Sequence, residues 1–170
     1  MKTLYYFILV FFSMTVLAQK ADVTSDSFKV TGLVKKELVF SLADIEKYTS
    51  NSIADVTITN HLGESRGTAS KLTGILVKDL LKDLELQEQS PKLFSEFYLI
   101  FVAADNYKVV YSWNEIFNSS TGDNLYLITS RDGKSLKEME ERILILTPTD
   151  FKTGRRHIKG LSKIIVERVD

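Results

Sequence analysis

The sequence is 170 residues long, 44% hydrophobic, with 22 basic and 22 acidic side chains, a composition that fits one globular domain with an ordinary core. The balanced charge excludes both the basic face of a general nucleic-acid binder and the acidity of a disordered chain. The chain has no cysteine, which excludes disulfides, thiolate metal sites and cysteine nucleophiles together, so the core alone must hold the fold.

In chain order, "MKTLYYFILVFFSMTVLAQ" places Lys2 before an apolar run, Leu4 to Phe12, and ends it near a small residue, Ala18. This predicts a secretory signal over residues 1–18, cut after Ala18, that delivers residues 19–170 as a single domain to the periplasm or the outside. The run is shorter than the roughly 20 apolar residues of a spanning helix and is interrupted by Ser13 and Thr15. No membrane span is expected once the signal is removed. No cysteine follows the small residue and no Arg-Arg pair precedes the run, so neither a lipid anchor nor the twin-arginine route for folded passengers is expected.

"FKVTGLVKKELVFSLADIEKY" alternates at Phe28, Val30, Gly32 and Val34, turns at Lys35-Lys36, and returns as a short strand around Val39 and Phe40. Ser41 and Asp44 then form a capping-box pattern that starts a short helix ahead of Ile45 and Tyr48. Val56 and Ile58 mark a half-buried strand. Leu76, Leu80 and Leu84, with Val77 and Leu81, follow a helical repeat introduced by Gly74, so the polar segment between them reads as a strand-to-helix loop. Such loops commonly carry binding sites.

Ser90-Pro91 breaks the pattern before Phe97 to Ala104, apolar on both faces and therefore a central, doubly covered strand. Asp105-Asn106-Tyr107 reads as a hairpin turn, Lys108 to Trp113 as the returning strand, and Ser112 with Glu115 as the cap of a helix at Asn114 to Phe117. "NLYLITS" is a strand, "RDGK" its turn, "ILILTPTD" a strand closed by Pro148, and "GRRHIKGLSKIIVERVD" a basic loop running into a strand that alternates at Ile164, Val166 and Arg168. Seven or so short strands with three short helices predict a mixed, mostly antiparallel α+β domain.

Taken in order, "FKVTGLVKKELVFSLADIEKY", "LTGILVKDLL", "FVAADNYKVVYSWNEIF", "DGKSL", "ILILTPTD" and "GRRHIKGLSKIIVE" resemble the segments of the sulfite-oxidase-type molybdopterin-binding domain, from Phe28 to Val169. The resemblance implies that β-rich fold. In the family, a strand leads into a loop whose cysteine thiolate ligates molybdenum; that position falls near Asn60 and His61 here, and no cysteine stands there. The family's Asp-Gly-Tyr turn is Asp105-Asn106-Tyr107 here, with Asn taking the left-handed position of Gly.

Oxygen-atom transfer in that family cycles the metal between oxidation states, and a thiolate donates to it more strongly than an imidazole or an amide. A pterin inserted before export also needs a folded passenger, whereas this leader suits an unfolded one. The expectation is therefore a non-catalytic domain without catalytic or metal-ligating residues and without a resident cofactor. The alternative is a molybdopterin-dependent oxidoreductase of sulfite-oxidase type with Asn60 or His61 near the metal.

The resemblance gathers Asn60, His61, Arg66, Asp105, Tyr107, Arg155, Arg156 and His157 around the former cofactor cleft. Arg66, Arg155 and Arg156, with Lys71, either clamp an anion, as comparable basic residues hold the pterin phosphate in the family, or are solvated surface charges. His61 and His157 become neighbours if their loops meet, yet two histidines fall short of the three protein ligands usual for catalytic zinc. The expected partner is a small anionic ligand or an envelope protein, with no nucleic acid.

Overall fold

The computed structural model describes residues 24–169. The apolar run and the cleavage point expected at residues 1–18 lie outside the described residues. Among the described residues no helix is long and apolar enough to cross a membrane.

The chain opens with β1 (Ser27–Gly32), which buries Phe28 and Val30 on one face. It pairs with β2 (Leu38–Ser41), where Phe40 stacks on Phe28 at 4.9 Å between ring centroids. Helix α1 (Leu42–Ile45) begins as the capping pattern predicts: the Ser41 hydroxyl accepts from the Asp44 N–H at 3.2 Å, and the Asp44 carboxylate accepts from the Ser41 N–H at 3.1 Å. The edge strand β3 (Asn51–Ile53) follows, then β4 (Val56–Thr59) and β5 (Ser65–Ala69), which form a two-stranded hairpin.

Here the structure departs from the expected strand-to-helix loop. The polar segment after β4 turns and returns as β5, and Leu72–Leu76 is a further strand, β6, before helix α2 (Val77–Leu80). Gly74 lies inside β6 and does not start a helix: a Cβ there would stand 2.9 Å from both Ile53 Cδ1 and the Leu127 carbonyl oxygen. Of the residues in the predicted repeat, Val77, Leu80, Leu81 and Leu84 are buried, and Leu76 is half-buried at the end of β6. The helix nevertheless stops after one turn, because residues 85–87 are drawn out to pair with residues 33–35, with Lys35 N–H donating to the Glu85 carbonyl and Gln87 N–H to the Leu33 carbonyl.

Next come β7 (Phe97–Ala103), β8 (Lys108–Ser112) and α3 (Trp113–Phe117), whose Ser112–Glu115 capping box is complete. The turn between the two strands is the expected one, with Asn106 at φ 67° and Asp105 Oδ1 accepting from the Tyr107 N–H at 3.0 Å. Strand β7 is central, as expected, but only Phe101, Val102 and Ala103 bury both faces; Tyr98 and Ile100 are half-buried. The chain then forms β9 (Tyr126–Arg131), β10 (Lys134–Ser135), β11 (Leu144–Leu146), β12 (Ile158–Lys159) and β13 (Leu161–Arg168).

These strands build two sheets. One runs in the order β2-β1-β13-β7-β8; the other runs β12-β11-β9-β6-β3, with β10 hanging on β9. Among the strands described, the pairings are antiparallel except β1 with β13. One continuous core joins Phe28, Leu99, Phe101 and Val166 of the first sheet to Ile75, Leu127, Ile128 and Ile145 of the second. Each such side chain, fully buried, contributes about 1.5–3 kcal/mol. The fold is α+β and mostly antiparallel.

Candidate functional site

The β4–β5 hairpin is fastened to the 3-10 turn Thr153–Arg155 of the second sheet's loops. The Thr153 hydroxyl accepts from the Thr59 N–H at 3.0 Å and donates to the Thr57 carbonyl at 2.8 Å. Gly154 permits this approach, since a Cβ there would stand 1.8 Å from the Thr59 carbonyl oxygen. Ile58 of β4 lines one cleft, while Val56, Thr57 and Thr59 line a larger one.

The cleft on the Ile58 side has a volume of about 260 Å³. Arg66, Gly67, Thr68 and Ala69 of β5 form one wall, and Arg131, Asp132, Glu141, His157 and Lys159 form the other. Three cations thus face two carboxylates. Glu141 is buried, 5% exposed, and is held by Arg131 Nη2 at 2.9 Å and Lys159 Nζ at 3.4 Å. Burial alone would raise its carboxyl, but its backbone hydrogen bond and the Arg131 and Lys159 charges outweigh that and keep it below the usual range. Arg66 is exposed and has no hydrogen-bond or ion-pair partner among the described residues.

His157 is the neutral member. Burial, then the Lys159 and Arg131 charges, push its pKa down to about 4, with Glu141 offsetting only part. Its Nε2 is buried and has no hydrogen-bond partner among the described residues, an arrangement that costs about 1–3 kcal/mol unless something fills it.

The other expected site residues are placed differently. Asn60 closes the hairpin turn: its Oδ1 accepts from the Leu62 and Glu64 N–H groups at 2.9 and 3.0 Å, and its Nδ2 donates to the Glu64 carboxylate at 2.7 Å. The His61 side chain is exposed, and its carbonyl accepts from Arg155 Nη2 at 3.1 Å. Tyr107 in turn donates to the Arg155 carbonyl at 2.6 Å, so His61, Tyr107 and Arg155 form a latch between three loops, with Asp105 bracing the turn. The two histidine-bearing loops meet where the Arg155 and Lys152 side chains reach the His61 carbonyl.

Arg156 is engaged elsewhere. Its Nη1 reaches Glu115 at 3.1 Å, its Nε reaches Asp150 at 2.7 Å, and its guanidinium lies 4.7 Å from the centroid of the Tyr111 ring. Hydrogen bonding to Asp150, chiefly, raises its pKa still further. Of the eight residues gathered by sequence, the structure brings Arg66 and His157 into one cleft. Arg131, Glu141 and Lys159 were missed. Lys159 stood in the quoted basic loop and Arg131 in the quoted RDGK turn, but nothing local directs either of them, or Glu141, to this cleft.

The Asn60 carboxamide is engaged in its own turn, through both acceptances at Oδ1 and one donation from Nδ2, whereas the neighbouring His61 imidazole is exposed; neither supplies the thiolate of the family. Among the described residues, no group of three or more His, Cys, Asp or Glu side chains could hold a metal ion.

No family model and no curated protein matches the sequence. Among solved structures, the chain is similar to the crystal structure of the sulfane dehydrogenase SoxCD from Paracoccus pantotrophus, with a TM-score of 0.62 at 14% identity. The match covers 84% of this chain but 39% of that one, so the chain spans about two fifths of the neighbour's length. At this identity the likeness is one of fold, and it agrees with the sulfite-oxidase-like fold that the ordered segments imply.

Proposed function

We propose that this protein is an exported, non-catalytic binding module that keeps a sulfite-oxidase-like fold and takes a small anionic ligand in the cleft beside Ile58. The observation that carries the reading is Arg66: an unpartnered guanidinium facing a cleft whose opposite wall already holds Arg131, Lys159 and the unpartnered Nε2 of His157. A guanidinium presents a planar fork to carboxylate, sulfate or phosphate, and such charge-assisted bonds are roughly twice as strong as neutral ones. Neutral His157 can add one hydrogen bond without adding charge. Glu141 keeps the two inner cations from repelling each other while the ligand is away.

A molybdopterin-dependent oxidoreductase with Asn60 or His61 near the metal is the alternative that the resemblance carries; the missing thiolate and the engagement of the Asn60 carboxamide count against it, and the exposed His61 imidazole leaves it open to test. Molybdenum and pterin analysis of protein purified from its native compartment tests the choice. The module reading expects well under a tenth of an equivalent of either; near one equivalent of molybdenum overturns it. Export is tested on the same preparation by N-terminal sequencing, with Gln19 the expected first residue and an intact Met1 the contrary result.

A further inference from the structure

The larger cleft, on the Thr57 and Thr59 side of β4, has a volume of about 520 Å³, within the usual range for small-molecule sites. It differs chemically from its neighbour. Its lining includes no Lys, Arg or His, so nothing there recognises phosphate or sulfate. Its two carboxylates are both engaged: Asp150 is paired with Arg156, and Asp55 accepts from the Ser70 hydroxyl at 3.0 Å and the Lys71 N–H at 3.2 Å. Their remaining lone pairs suit hydroxyl donors. A bare cation would find only the half-satisfied Asp55.

The walls otherwise offer neutral hydrogen-bonding groups. The Thr59 hydroxyl is buried with no partner among the described residues, which is a standing deficit that a ligand hydroxyl would remove. Asn124 donates its Nδ2 to the Ser120 carbonyl at 3.0 Å, and its Oδ1 has no partner among the described residues. At the mouth stands Phe151, 104% exposed, its ring uncovered among the described residues, and Tyr126 lies within the lining. An aromatic ring presents a negative face that attracts the slightly positive C–H edge of a neighbouring molecule.

From this combination we propose that the larger cleft is a saccharide site, taking a neutral polyhydroxylated ring whose C–H face lies on Phe151 and whose hydroxyls pair with Thr59, Asn124 and Asp55. It is independent of the anion cleft, from which β4 separates it.

The test probes an array of immobilised neutral and acidic glycans with the full chain, because repeated display amplifies weak single-site binding. Phe151 is fully exposed, so Phe151→Ala leaves the core untouched, and an unchanged unfolding transition checks this. The expected result is retention on neutral glycans, about ten-fold weaker in both Phe151→Ala and Asn124→Ala, equivalent to about 1.4 kcal/mol, and unaltered in Arg66→Ala. Failure to bind any neutral glycan overturns the proposal. So does a preference for sialylated or sulfated glycans, or binding that survives Phe151→Ala or falls equally in Arg66→Ala.

Discussion

Thr153 and Thr59 are 94 residues apart in sequence, yet the Thr153 hydroxyl accepts from the Thr59 N–H at 3.0 Å while donating to the Thr57 carbonyl at 2.8 Å. One side chain thus satisfies two backbone groups of β4 that its hairpin leaves over. Thr153→Val keeps the shape and removes both bonds, leaving a part-buried N–H and a part-buried carbonyl without this partner. The expected loss is about 1–3 kcal/mol in denaturant unfolding, together with faster amide exchange across β4 and β5. Exchange unchanged in that hairpin would show that the clasp does not hold it.

Arg156 is the residue whose sequence reading and structural role diverge most. Its guanidinium pairs with Asp150 and Glu115 and lies over Tyr111, whose hydroxyl burial pushes up to about 12. Arg156→Ala strands the Asp150 carboxylate. Because the Arg156 side chain is 24% exposed, the loss should fall below that of a fully buried pair, at about 2–3 kcal/mol. Phosphate affinity at the other cleft should hold steady in the same variant. Lost affinity without lost stability would restore Arg156 to the clamp that the resemblance implies.

His157 makes stability depend on pH. Its folded pKa is about 4 against an unfolded value near 6.5, so between these values the unfolded chain binds a proton that the folded chain refuses. Stability therefore falls as pH drops from about 6.5 to about 4, by on the order of 3 kcal/mol. Glu141, whose folded carboxyl lies below its usual range, loses stability in the same direction at the acid end. His157→Gln separates the two: its stability relative to the parent should improve as pH falls through this window, measured by urea unfolding at several pH values. A difference that stays flat with pH would remove His157 as the cause.

The sequence showed most of what packs locally and little of what pairs at a distance. Both capping boxes, at Ser41 and Ser112, and the Asn106 turn were legible because they are encoded within four residues. Strand β5, with the polar sequence SRGTA, carries no alternation to detect, and β6 was hidden because LTGIL is apolar enough to extend a helical repeat. Strand β11 was legible in ILILTPTD, but the two-residue strands β10 and β12 are too short to show a period, so the count of seven fell well short. The candidate site suffered for the same reason. Arg66 and His157 stood out as basic residues in loops, whereas Arg131, Glu141 and Lys159 converge only through the pairing of β9, β11 and β12.

The central claim is that the Arg66 cleft recognises an anion, and calorimetric titration of the parent and Arg66→Ala with inorganic phosphate and with sulfate tests it most directly. The account predicts one site of about millimolar or better affinity in the parent, weakened about ten-fold or more in Arg66→Ala and unchanged in Arg155→Ala, whose guanidinium is engaged with the His61 carbonyl. A parent that binds neither anion, or an Arg66→Ala variant that binds as tightly as the parent, would contradict it.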